Sequence, residues 1–423
     1  MKPKSRVSAG FLTLTGAVLL ISADRAGAQT AETPTAECKA GADRALSDMP
    51  LPSFQRELLD IAFRAASALP ILPHVKDRSR SQEAVVGACL ELDQPRMALG
   101  YIEGIANWRR GAAYADLAFY CAQRGHAAAA QDYLGLARQV ADAENETMED
   151  FQSWRRDRIL VKIAGTHVWL GQTQEAARLQ SGVVDSEAGR VEAVKAALVD
   201  SERFEEHFKA LEALVATGNF DTLRNALDGF AELYDGFYGD KDRRTQLEEK
   251  MKSSWGGAPA MLRIELLMKL AGSALEHEDR GRATGLTKEA QALTSSEIPR
   301  PEDRIPLMAR SAALLHRAGD EEKGRSEIAA ALGTFETERE SIADMYRREA
   351  LVPIAESYQS MNETASALAV YKLAVDEGAL NVNTRPRAED LCATCLSMAL
   401  HGVEPDGDLW GRIKGVCKGL DSQ

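Results

Sequence analysis

Six cysteines and seven histidines carry most of the reactive chemistry open to this 423-residue chain. Cys392-Ala393-Thr394-Cys395 has the spacing of a redox pair, but such pairs work between a strand and a helix, and no strand-like alternation precedes this one. Haem attachment needs a His after the second Cys, where Leu396 stands. The histidines form no HExxH: His277-Glu278 lacks the second His at the required spacing, and His74, His126, His207, His316 and His401 are scattered. No nucleophile-elbow pattern supports a Ser-His-Asp arrangement. These residues therefore point to no metal, no cofactor and no catalytic centre, and they assign the thiols to structural use.

Lys2, Lys4 and Arg6, the apolar stretch from Ala9 to Ala23, and Ala26-Gly27-Ala28 read as a signal peptide over residues 1–28. The stretch is short of the ~20 apolar residues of a spanning helix, and the first Cys is Cys38, so neither a membrane span nor a lipid anchor is expected. The sequence thus predicts a periplasmic or secreted protein. Cleavage would remove Lys2, Lys4, Arg6 and Arg25 against Asp24, making the formal charge of −13 still more negative. So acidic a chain argues against nucleic acid and against an anionic membrane as general partners, leaving only a local basic patch to act otherwise. Aromatic residues are 6% of the chain, so its core must be built mostly of Ala and Leu, which suits close-packed helices.

The remaining length exceeds a usual single core and calls for two domains or a repeat array. Self-similarity decides for the array. Trp108-Arg109-Arg110 and Trp154-Arg155-Arg156 are each followed by helical apolar periodicity, by Gly125 or Gly171 fifteen residues past the last Arg, and then by Ala130 or Ala176. Carried along the chain, the register places Arg at 78, 110, 156, 203, 263, 304, 347 and 387. Fifteen residues later stand Asp93, Gly125, Gly171, Gly218, Glu278, Gly319, Asn362 and Gly402, all helix-stop types. The eighth and twentieth positions are mostly small: Ala118, Ala164, Ala271, Ala312 and Ala355 at the former, Ala98, Ala130, Ala176, Ala283, Gly324 and Ala367 at the latter. Each unit therefore reads as two antiparallel helices that approach closely beside a tight turn.

This pattern resembles divergent tetratricopeptide repeats over roughly residues 76 to 420. It departs from that family in its spacing, which ranges from 32 to 60 residues between successive Arg where the family keeps 34, and in lacking the Trp of position four. The resemblance implies an all-α solenoid of about eight helix hairpins with no sheet, over residues 76–423. A helical cap precedes it at 29–75, and a terminal capping unit follows Arg387. Loops are expected at Asp142 to Gln152, Asp235 to Pro259 and Ser295 to Arg304, the longest giving a hinge near 235–259. Closing the last hairpin with a Cys392–Cys417 disulfide would limit fraying, with Cys38–Cys89 as a second pairing.

In tetratricopeptide-like repeats the first helix lines a binding groove. Six residues after the Arg stand Lys162, Lys209, Lys269 and Arg310, with Arg158 and Trp169 on the helix of Lys162. The resemblance makes these a basic stripe for an acidic peptide, a C-terminal carboxylate or another anion, against the plainer reading of solvated salt bridges with Glu205 and Glu265. The Arg at each unit start opposes its own helix dipole, so it needs a partner, expected at the end of the preceding second helix on Asn107, Asp185 or Asp376. The functional expectation is a non-catalytic exported scaffold that binds a peptide or protein partner in the groove. The alternatives are a small-ligand or glycan-binding envelope component and, behind it, an envelope hydrolase.

Overall fold

A computed structural model describes residues 46–147 and 153–421. The expected signal peptide and Cys38 lie outside them. The described residues are helical throughout, without a strand. α1 (Ser53–Ala68) is followed by nine hairpins: α2 (Ile71–Glu91) and α3 (Pro95–Ile102), α4 (Arg109–Gln123) and α5 (Ala127–Thr147), α6 (Trp154–Trp169) and α7 (Thr173–Gln180), α8 (Asp185–Ala196) and α9 (Phe204–Ala216), α10 (Phe220–Gly236) and α11 (Lys241–Ser254), α12 (Ala260–Glu276) and α13 (Arg280–Glu297), α14 (Pro301–Arg317) and α15 (Glu321–Glu338), α16 (Asp344–Ser360) and α17 (Thr364–Ala379), α18 (Thr384–Leu400) and α19 (Gly407–Asp421).

The eight fifteenth-position residues are the ones with positive φ among the described residues, from 57° at Asp93 to 99° at Gly319. Each reverses the chain between two helices in the left-handed region, where Gly, Asn and Asp are least penalised. Glu278, at 63°, is the strained exception. Asn219 and Asp240 start α10 and α11 by accepting hydrogen bonds from the second and third amides of those helices.

Even-numbered helices lie parallel, because the residues in contact advance together along both members of each pair. Gly111 faces Ile159 and Asp116 faces Lys162 between α4 and α6, and Arg158 meets Glu187 and Gly165 meets Val194 between α6 and α8. Gly189 faces Asn225 and Ala193 faces Gly229 between α8 and α10, and Arg348 meets Asp390 and Glu356 meets Ser397 between α16 and α18. The same rule joins the last to the first. Arg385 lies 4.0 Å from Asp77, Arg80 lies 3.5 Å from Glu389, and Cys392 Sγ lies 4.0 Å from the Ser81 carbonyl. The all-α solenoid therefore closes on itself as a ring, with even-numbered helices inside and odd-numbered helices outside. α1 completes the outer layer at the seam: Gln55 Nε2 donates to the Ala399 carbonyl at 2.6 Å, and Glu57 pairs with Lys414 at 2.8 Å.

Between the layers, eighth-position residues pack on twentieth-position ones. A Cβ added to Gly324 would meet Ala312 O at 2.9 Å and His316 Cβ at 2.8 Å, so α14 and α15 approach as closely as backbone permits. Ala118, Ala164, Ala271, Ala312 and Ala355 have no exposed surface.

Three expectations need correction. The loop and hinge expected over Asp235 to Pro259 is largely helix α11, whose Leu247 and Met251 are fully buried in the core. The segment Ser295 to Arg304 holds only a short link, since α13 runs to Glu297 and α14 starts at Pro301. The unit begun at Arg203 is out of phase: Arg203 precedes an outer helix, α9, and the turn at Gly218 leads from that outer helix to inner α10. Three hairpins rather than two fill the span from Arg156 to Arg263, which accounts for the long intervals there.

Gly324→Ala is expected to destabilise the protein by about 1–3 kcal/mol through overpacking. Gly333→Ala, on the same α15 with open space at its Cβ, should stabilise by ~0.5–1 kcal/mol. Urea unfolding midpoints read both, and shifts of the same sign would refute the close approach of α14 and α15.

Candidate functional site

Two residues of helix turn a side chain by about 200°, so sixth-position residues lie opposite the eighth-position Ala that faces the outer layer. On inner helices they therefore line the inner wall of the ring. Lys162, Lys269 and Arg310 are so placed. Lys209 is not, because it stands on outer helix α9, where it is exposed and has no ion-pair partner among the described residues. Arg158 and Trp169 share the face of Lys162, four residues before it and seven after.

The wall is a belt of alternating charge rather than an open basic stripe. Lys162 Nζ donates to both carboxylate oxygens of Asp116 on α4, at 2.6 and 2.7 Å. Arg158 donates to Glu187 on α8 at 3.2 Å and lies over the Trp154 ring. Lys269 reaches Glu232 at 2.9 Å and Asp228 at 3.7 Å on α10. Trp169 meets Phe119 of α4 edge-on, with centroids 5.5 Å apart. Glu205 and Glu265, considered as in-helix partners, are in neither of these pairs. The acids come from neighbouring helices, and one of them, Asp116, stands at the sixth position of its own unit, where the register itself could have found it.

Arg310 differs. It is half-buried on α14, donates no hydrogen bond among the described residues, and faces Glu265 on α12 and Glu356 on α16. Burial lowers its pKa against the pull of those two carboxylates. Glu356 is itself engaged: Ser397 Oγ donates to it at 2.6 Å, and the buried Tyr371 hydroxyl lies 2.7 Å from Ser397 Oγ. Burial raises the Tyr371 phenol well above its ordinary value, so this relay holds its protons.

Four members of the Arg ladder, Arg78, Arg263, Arg304 and Arg347, tie structural elements together, with partners other than those expected. Arg304 pairs with Glu338 at 2.7 Å, Arg347 with Glu377 at 3.5 Å, and Arg263 with Glu297. These acids end the outer helix of the same unit. Arg78, Arg304 and Arg347 also donate to carbonyls of the link that enters their helix, at Leu69, Pro299 and Ile342. Of the expected partners, Asn107 accepts from the Arg109 amide and Asp376 pairs with Arg412.

The Cys392–Cys417 bridge is not formed: both are buried thiols outside any disulfide, as are Cys89, Cys121 and Cys395. Cys392 Sγ points across the seam to α2, and it is Cys395, one turn on, whose thiol feels both Cys392 and Cys417. Burial pushes the Cys392 thiol up to about 12, far from a reactive thiolate. Among the described residues no group of three or more His, Cys, Asp or Glu is arranged to hold a metal ion.

No family model and no curated protein matches the chain. Among solved structures it is similar to one described as a circular tandem repeat protein with novel repeat topology and enhanced subunit contact surfaces. That likeness has 15% identity over 87% of this chain and 94% of that one, with a TM-score of 0.20, too loose to build on. The contacts above define the class by themselves: an all-α repeat protein.

The Asp116–Lys162 pair can be tested through pH. Burial holds Asp116 above its ordinary value while Lys162 works to lower it. Lys162→Met should raise it further, and a carboxylate with a raised folded-state pKa loses stability as pH rises through that range. The deficit of Lys162→Met against wild type should therefore be greatest at neutral pH, about 1 kcal/mol because both side chains are about a third exposed, and should shrink as pH falls toward 4. Thermal midpoints from pH 4 to 8 check it, and a deficit independent of pH would show that the pair does not matter.

Proposed function

We propose that the protein is an exported, non-catalytic scaffold that holds a peptide or protein segment against the inner wall of its ring. The observation that carries this reading is Arg310. Its half-buried guanidinium donates to no described residue, and a carboxylate presented by a partner could accept from that fork in bidentate fashion. Glu265 and Glu356 beside it favour a segment that brings a cation as well as the carboxylate. A mixed-charge peptide fits this wall better than a uniformly acidic one. Lys162, Lys269 and Arg158, already neutralised by Asp116, Glu232 and Glu187, would set the register of such a segment through alternating charge, adding specificity more than affinity. Export rests on the charged, apolar and small-residue pattern of residues 1–28.

Affinity capture from envelope extracts, run in parallel with wild type, Arg310→Glu and Lys209→Glu, tests the reading. The expected result is a partner held by wild type and by Lys209→Glu on the outer layer, and lost at least about tenfold by Arg310→Glu, as for removal of a desolvated charge contact. A partner retained by Arg310→Glu, or turnover of an envelope substrate by the pure protein, would overturn it.

A further inference from the structure

The parallel inner helices give the ring two rims, one at the starts of those helices and the other at the turns that end most of them. Between the rims runs a bore. Nine inner helices stand around it: α2, α4, α6, α8, α10, α12, α14, α16 and α18. Among the described residues none of them packs against an inner helix other than its two neighbours, so opposite walls do not meet. Nor does the ring climb as it closes. Across the seam Arg385 meets Asp77 and Arg80 meets Glu389, so residues just before and just after Arg78 and Arg387, the two arginines of the register, stand level. Asp116 and Lys162 meet at equal height between α4 and α6 in the same way.

Nine helices about 9–10 Å apart place their axes on a circle about 28 Å across, and removing one helix diameter of about 10–12 Å leaves a bore roughly 16–18 Å wide. Inner helices such as α12, α14, α16 and α18, each of 17 residues, make it about 25 Å deep. One α-helix or one extended chain fits that width, whereas two packed helices span about 20 Å and a small folded domain about 30 Å.

The charges of the wall are confined accordingly. Asp116 and Lys162 are each 36% exposed, and Lys269 is 40% exposed. Yet burial is the foremost influence on all three, raising the pKa of Asp116 and pulling against the rise that neighbouring acids give both lysines. Groups that touch water while protein surrounds them lie on a concave wall around a narrow space. Arg310 is the tenth of the seventeen residues of α14, near mid-depth, so a partner held at either rim would not reach it. Neighbouring inner helices pack on one another all the way round, and α1 covers the seam from outside, so the way to Arg310 is through the mouths of the bore.

We propose that the partner is a single polypeptide segment threaded through the bore by a free end, so that the ring encloses it. The inference rests on the partner-binding reading above and adds the route of entry and the topology of the complex. An enclosed segment leaves only by sliding out along the bore or by opening of the ring. It is therefore retained without tight contacts, which suits a wall whose charges at Lys162, Lys269 and Arg158 are already neutralised by neighbouring acids. A carboxylate on the segment reaches Arg310, and a cation beside it reaches Glu265 or Glu356.

An order-of-addition experiment on the unchanged full chain tests the topology. The probe is a fluorescent synthetic peptide of four Glu-Ala-Ala-Ala-Lys repeats, a mixed-charge and predominantly helical sequence about 30 Å long, with a flexible Gly/Ser arm and a biotin at each end. Monovalent streptavidin then serves as a folded stopper wider than the bore. Stoppers added before the protein should slow association by at least about a hundredfold, because the ring would have to open. Stoppers added after binding should slow release by at least about a hundredfold for the same reason, while a stopper on one end alone should change neither rate much. Arg310→Glu should weaken binding of the unstoppered probe by at least about fivefold, its thermal midpoint being read alongside. Rates that do not depend on the order of addition overturn threading, and if Arg310→Glu still weakens the probe they leave the partner-binding reading standing. Absence of any binding by the probe also overturns threading, whereas the capture experiment decides the partner-binding reading separately.

Discussion

An inner helix of this protein is stable only between two parallel neighbours, because its apolar flanks face sideways as well as outward. In an open array the two terminal helices would each lack one neighbour and would need polar caps. Here α18 lies on α2, and α1 covers the joint from outside, so no inner helix is terminal. The seam is made of the same materials as the interior of the array: apolar α1 against α18, with the fully buried Leu58 and Leu59, and two ion pairs one turn apart. Everything else follows from closure, including a wall that faces inward, two rims of opposite helix polarity, and a core that runs from residues near the beginning of the described chain to residues near its end.

Closure with strict parallel order also explains the Arg ladder. A guanidinium in the first turn of a helix opposes the dipole of that helix. The antiparallel outer helix, however, ends at the same rim, so the cation stands beside the negative end of a second dipole and beside the acid in its last turn. Glu297, Glu338 and Glu377 supply that acid for Arg263, Arg304 and Arg347. In these three units the Arg thus fastens inner to outer helix.

The inner wall shows how neighbouring helices change the meaning of a charge. Lys162 and Lys269 are surface lysines on their own helices, yet each meets carboxylates projecting from the helix before it. Such partly exposed pairs add little to stability but fix where positive and negative potential lie around the ring. Arg310 is the place where this compensation stays incomplete, since its flanking acids approach without accepting a hydrogen bond and one of them is held by Ser397. Recognition at this wall is therefore a matter of pattern more than of net charge.

By itself the sequence determined what is local: helices, turns and the close contact within a hairpin. All eight residues at the fifteenth position have positive φ, because reversing a helix in one residue demands the left-handed region and few residue types tolerate it. The small residues at the eighth position are buried because a larger Cβ would part the two helices. What depended on which helices become neighbours was decided only by the tertiary structure. The sequence does not show the phase of the unit at Arg203 because Gly218 ends a helix equally well on the way in or out of the ring, and it hides polar α11 because the few apolar residues there, Leu247 and Met251, are too sparse to show a period. The acids that neutralise Lys162 and Lys269 lie more than thirty residues away in sequence, and Cys392 turns toward α2 across a seam that no repeat period encodes. A repeat fixes the contact of each unit with the next, whereas closure depends on the small angle between units summed around the whole ring, which no single residue reports.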